Sequence, residues 1–191
     1  MNWLAHLYLS KPIAEYRVGN LLPDILPLGE LVQLPSEFQC GIEQHRRIDT
    51  FTDSHSIVRK RIERISPPFR RFGGVLVDIF FDHFLARDWG LYSAQSFSEF
   101  SGEVYDSFDK VARFLPATAL SMLEQMRRSD WLGSYAEVSG VITALERIDG
   151  RLRHPVHLSQ AIFILEDEYA AFCADFRAFF PELKQHVGPF L

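Results

Sequence analysis

Only two cysteines, Cys40 and Cys173, occur in 191 residues, and they stand far apart in the chain. That scarcity excludes a disulfide framework, makes a reducing compartment the default, and leaves no thiolate pair at metal-binding spacing. Long apolar runs are missing as well. The opening stretch, Met1 to Ser10, is apolar but too short to span a bilayer, with no basic residues ahead of its apolar part and no small-residue cleavage site after it. The chain therefore reads as a soluble, cytoplasmic protein without a membrane partner. Net positive charge is absent too: the formal balance of -5 argues against a general nucleic-acid binder, which needs a basic surface. There is no glycine-rich phosphate loop, no convincing alternating strand or hairpin turn, no internal repeat and no linker.

What is present describes a globular helical protein. A composition 47% hydrophobic and 24% charged is that of a folded chain, and 17 phenylalanines predict a core built on aromatic packing. The length suits one domain over residues 1–191. Leu158, Ile162, Leu165, Tyr169, Phe172, Phe176 and Phe179 recur at helical spacing, predicting a helix from Pro155 to Phe180 stopped by Pro181. Ser96 with Glu99 reads as a capping box before a stripe of Phe100, Val104, Phe108 and Val111. Leu120, Leu123 and Met126 mark another helix, and Ser134 with Glu137 caps one carrying Val138, Val141, Leu145 and Ile148. In the first half, helices are expected over 2–9, 38–52 and 74–89, with a loop over 19–29. The expected class is an all-α, single-domain helical bundle.

Chemistry concentrates in that first half. From Val75 to Trp89 the apolar residues cover nearly the whole helical circumference, so this helix is expected to be buried on all sides, yet it carries Asp78, Asp82 and His83. Asp78 and Asp82 share a face, and buried carboxylates need a cation, either a metal or an arginine, unless they cap a helix. On the 38–52 helix, His45 and Asp49 stand one turn apart facing inward, a suitable ligand pair for a divalent ion, or a histidine oriented by its carboxylate. Arg46 and Arg47 diverge, so at most one can reach a phosphate at the same site. His6, among leucines, and Asp24, after the turn signal Gly19-Asn20, complete the group. His and Asp without Cys favour a hard or borderline metal such as Mn, Mg or Fe over structural zinc.

At these residues the sequence resembles the acyl carrier protein phosphodiesterases, placed among HD-type metal phosphohydrolases. The resemblance is carried by Met-Asn-Trp-Leu-Ala-His-Leu at the start, by Gly19-Asn20-Leu21-Leu22-Pro23-Asp24, by His45-Arg46-Arg47-Ile48-Asp49 with Thr52-Asp53, and by Asp78 with Asp82-His83-Phe84-Leu85. It implies an all-helical, HD-domain-like fold, a Mn-type divalent ion, and hydrolysis of the phosphodiester joining phosphopantetheine to the carrier's serine. The order Asp82-His83 departs from the His-Asp doublet that names the wider superfamily, so ligands do not transfer by doublet matching. The expected assignment puts His6, Asp24, Asp78 and Asp82 around the metal, makes His45 a ligand or general acid held by Asp49, and gives the phosphate to Arg46 or Arg47.

One basic segment stands out in this acidic chain. Between Ser56 and Val77 lie Arg59, Lys60, Arg61, Arg64, Arg70 and Arg71 against a single acid, Glu63. Arg59, Lys60, Arg61 and Arg64, with Arg47, are the expected contacts for an acidic carrier protein, the alternative being a solvated helix face. Two other functions fit the same features: hydrolysis of a nucleotide or other small phosphodiester, and a non-catalytic helical module that binds an acidic partner.

Overall fold

The computed structural model describes residues 1–188 and contains twelve α-helices and no strand among them. They are α1 (Trp3–Tyr8), α2 (Ala14–Gly19), α3 (Leu28–Leu31), α4 (Ser36–Ser54), α5 (Ser56–Arg64), α6 (Gly73–Arg87), α7 (Phe97–Val111), α8 (Ala117–Arg128), α9 (Trp131–Ser134), α10 (Val138–Asp149), α11 (Ile162–Asp167) and α12 (Tyr169–Val187). The expected all-α class holds. One contiguous core runs through the described chain from Met1 to Val187. No helix among the described residues is long and apolar enough to cross a membrane.

Helix α6 is the central post, as its all-round apolar pattern requires. It packs against α1, α5, α10 and α12. Against it α12 lays an aromatic face: Phe80 meets Phe172 edge-on at 5.3 Å, and Phe81 lies 5.5 Å from Phe176 and 5.4 Å from Phe179, separations typical of favourable ring pairs. Helix α7 begins with the predicted capping box, in which Ser96 Oγ accepts from Glu99 N and Glu99 accepts from Ser96 N.

Two helical expectations are corrected. The stretch predicted from Pro155 to Phe180 is a loop to His157, a short 3₁₀ turn, α11, a break at Glu168, and then α12. Helix α12 continues through Pro181, because Leu183 and Val187 beyond it are fully buried and hold the last turns in place. The Ser134–Glu137 box does not form either. Ser134 ends α9 and donates to Trp131 O, while Glu137 occupies the N-cap position of α10 without a side-chain bond.

The contact that sets the geometry of the functional region is between α2 and α4. A Cβ on Gly41 would lie 2.2 Å from Tyr16 O, and one on Gly19 would lie 2.4 Å from Phe38 O, so only glycine allows these backbones to meet. That approach brings the turn after α2, carrying Asn20, onto the His45 face of α4.

Candidate active site

Helix α1 presents His6 and α4 presents His45, and the two imidazoles stack with centroids 4.2 Å apart and planes 20° from parallel. Both are buried. One residue anchors both rings: His6 Nδ1 is 3.0 Å from Asn20 Oδ1, and His45 Nδ1 is 2.8 Å from the Asn20 backbone oxygen. Asn20 Nδ2 in turn donates to His6 O and to Ser10 Oγ, both at 2.8 Å, which identifies Oδ1 as the acceptor. With Asn20 engaging each Nδ1, Nε2 is the ring nitrogen turned toward the carboxylates. Both Nε2 atoms face Asp49, at 3.2 Å from Oδ1 for His6 and 3.0 Å from Oδ2 for His45. An Nδ1 held by an outer partner with Nε2 turned inward is the arrangement that orients a metal-ligating histidine, and His6 Nε2 also lies 3.0 Å from Met1 O. Ligand atoms of His6, His45 and Asp49 all fall within 4.8 Å of one another. Asp24 Oδ1 lies 3.7 Å from His45 Nε2, and its other oxygen accepts from Trp3 Nε1 at 2.8 Å.

The electrostatics follow from these contacts. Burial pushes the His45 imidazole pKa down, but the Asp49 hydrogen bond and the charges of Asp24 and Asp49 outweigh it and leave it raised. For Asp49, burial acts to raise the pKa. The hydrogen bonds from His45 and His6, with the Met1 ammonium, hold its carboxyl far below the usual range instead. The Met1 amino group is buried and lies 3.5 Å from Asp49 Oδ1 and 3.1 Å from Asp78 Oδ1. Desolvation opposes its charge, yet the neighbouring carboxylates lift its pKa to about 10. Asp78 is raised, burial outweighing the ammonium beside it.

A cavity of about 520 Å³ opens at this cluster. Asp24, Asp49, Asp53 and Asp78 line it, Trp3, Ile79, Ile148 and Leu152 give it apolar surface, and Arg151 is the one arginine among the described lining residues.

The expected site residues thus separate. His6, Asp24, His45 and Asp49 converge, and Asp78 borders the same cavity. Asp82 does not join them. It is fully buried beneath α1, where its two oxygens accept from Leu4 N at 2.8 Å and Ala5 N at 3.2 Å, the cap that Asn2 does not provide. His83 faces the opposite way, bonded to Tyr135 O and the Tyr169 hydroxyl. Arg46 and Arg47 lie along Glu43, at 3.8 Å and 3.2 Å, rather than in the cavity, because their positions on α4 point away from the face that carries His45. Arg61 is corrected as a surface contact: it is buried, pairs with Glu168 and Asp175, and lies 4.5 Å from the Phe172 ring centroid, tying α5 to α12. Arg59, Lys60 and Arg64 are exposed.

The family model described as acyl carrier protein phosphodiesterase matches residues 1–183. The chain belongs to the acyl carrier protein phosphodiesterase family. Relatives carrying that name are 28% identical in Photorhabdus laumondii subsp. laumondii (97% of this chain, 94% of the relative) and 28% identical in Yersinia pestis (98% and 97%). Another, from Escherichia coli O157:H7, is 28% identical over 98% of both chains. No solved structure matches. Within this phosphodiesterase family chain, sequence reasoning missed Asn20 as the common anchor and Arg151 as the cavity's arginine. Asn20 had a signal, since it sits inside the Gly-Asn-Leu-Leu-Pro-Asp block. Arg151 had none, because it follows the end of α10 in a segment without a motif.

Proposed function

We propose that this chain is a metal-dependent phosphodiester hydrolase that removes phosphopantetheine from the serine of acyl carrier protein, converting the holo form to the apo form. The observation that supports this most directly is the pair of Asn20-anchored imidazoles turned, Nε2 first, toward Asp49 at the floor of an acidic cavity. Two imidazole nitrogens with carboxylate oxygens and no thiolate suit Mn, or Mg or Fe in its place. His6, His45 and Asp49 would hold the ion, with Asp24 beside His45. A divalent ion there supplies charge for the phosphoryl oxygens and makes water a better nucleophile near neutral pH.

The protein's own residues complete the chemistry. Arg151 at the cavity edge meets a non-bridging phosphate oxygen, the role expected of Arg46 or Arg47 from sequence. Asp53 accepts the proton of the attacking water. Asp78, in the same cavity, acts as the acid for the departing serine oxygen. Asp49 is the central carboxylate, and Asp82 acts on the site only by holding α1. The exposed Arg59, Lys60 and Arg64 follow directly on the end of α4 that carries Asp53, which puts a basic helix next to the cavity residues for an acidic carrier to dock against. The work belongs in the cytoplasm, where such a carrier would be met.

Incubation with holo carrier and Mn should lower the carrier's mass by one phosphopantetheine group, read by mass spectrometry. Unchanged carrier mass with Mn, Mg and Fe would end this reading. His45→Ala and Asp49→Asn should each lose bound metal on dialysis, and full metal content in both would move the metal elsewhere.

A further inference from the structure

Arg147, on the last turn of α10, is the one guanidinium whose terminal nitrogens Nη1 and Nη2 are both buried without a hydrogen-bond partner among the described residues. Its Nε donates to Thr143 O at 3.3 Å, and its Cζ lies 4.0 Å from the Trp131 ring centroid. Elsewhere the protein satisfies such groups: Arg61 has two carboxylates, and Arg87 has Asp88, the Tyr169 hydroxyl and Cys173. Leaving two buried guanidinium nitrogens without acceptors is unfavourable, so the missing acceptor is expected from outside the chain.

The surroundings say what kind of acceptor fits. Arg147 borders a pocket of about 20 Å³, room for one water-sized atom group. That pocket shares Asn2, Trp3, Ile148 and Arg151 with the large cavity, so the two lie against the same residues. Trp131 stacks on Trp3 at 5.2 Å and 11°, and Trp3 Nε1 donates to Asp24, so the aromatic wall leads from Arg147 to the carboxylate cluster. Arg151 and Arg147 are four residues apart, the first lining both the cavity and the small pocket and the second the small pocket beside it. A ligand held at its phosphate by Arg151 would run along Trp3 and Ile148 and place a single oxygen at Arg147. An amide-bearing aliphatic chain has that pattern of apolar carbons and isolated carbonyl oxygens.

We propose that Arg147 receives an amide carbonyl of the pantetheine arm and that the Trp3–Trp131 wall packs beside it, which makes this the subsite that distinguishes arm-bearing phosphodiesters from others. The inference rests on the phosphodiesterase reading above, but its first test does not need turnover. Free pantetheine, which lacks the phosphate, is titrated into the full chain and followed by tryptophan fluorescence, for wild type, Arg147→Met and Arg147→Lys, after thermal melts confirm that each is folded. Saturable binding to wild type, weakened about tenfold in Arg147→Met and partly restored in Arg147→Lys, is expected for loss of one hydrogen bond to a charged donor. In turnover, the ratio of kcat/KM on holo carrier to that on bis(p-nitrophenyl) phosphate should fall by about the same factor in Arg147→Met, through KM. Equal pantetheine affinity in wild type and Arg147→Met, or no binding to wild type, would overturn the subsite and leave the small pocket to a water. Pantetheine binding together with no cleavage of the carrier by wild type would instead overturn the proposed activity while keeping the subsite.

Discussion

Replacing Asp82 with alanine separates support of the site from metal ligation. The side chain is 0% exposed, and its two oxygens accept the N–H groups of Leu4 and Ala5 in the first turn of α1. Alanine leaves both donors buried and unpaired, at about 1–2.5 kcal/mol each, so a loss of about 2–5 kcal/mol is expected. For a chain of this size that is a fall in Tm of about 4–20 °C at about 2–4 °C per kcal/mol. The effect carries a pH signature. Burial outweighs the two backbone hydrogen bonds and lifts the Asp82 pKa from 3.8 to about 8. A raised folded-state pKa means that the stabilising form is fully populated below about 4 and lost as pH rises through about 8. The gap between wild type and Asp82→Ala should therefore be widest near pH 4 and narrow toward pH 8. The assay is thermal unfolding by circular dichroism in chelator and again with Mn. A cap acts with or without metal, so the gap should persist in chelator. If the two proteins melt together in chelator and part only when Mn is added, Asp82 is a ligand and the capping argument fails.

Four further outcomes follow from the same contacts. Asp49→Asn removes the hydrogen bond that raises the His45 pKa, so in chelator the imidazole resonance should titrate at lower pH in the variant; wild type should also lose the stabilisation contributed by this raised group as pH rises above about 6.5, and an unchanged titration would show that Asp49 does not set it. Gly41→Ala forces a Cβ to 2.2 Å from Tyr16 O, and should cost about 1–3 kcal/mol and weaken metal binding by displacing Asn20; wild-type melting and metal content would mean that α2 and α4 separate freely. Arg61→Met should cost about 2–4 kcal/mol in denaturant unfolding while leaving the salt dependence of carrier association intact, since Arg61 is buried between α5 and α12. Arg59→Glu with Lys60→Glu should do the reverse, flattening the salt dependence of association without loss of bound metal, and wild-type carrier kinetics at every salt concentration would remove α5 from the docking surface.

The sequence by itself determined the helical class and the central place of α6, and it marked His6, Asp24, His45, Asp49, Asp78 and Asp82 as site candidates. Each of these is written in local spacing: an apolar pattern covering a whole helix, residues one turn apart, and a short block of glycine, asparagine and aspartate. Only the tertiary structure decided what each charge faces. Asp78 and Asp82 share one face of α6, yet one borders the cavity and the other sits under α1, because the start of another helix presents unpaired N–H groups at Asp82 and not at Asp78. Arg61 looks like its neighbours Arg59 and Arg64 in the chain, but only it is buried between Glu168 and Asp175, while Arg64 reaches Glu168 from the surface at 3.7 Å. Asn20, Arg147 and Arg151 matter through what lies around them in space, across up to a hundred or more residues of chain, and no periodicity of a single helix records such neighbours.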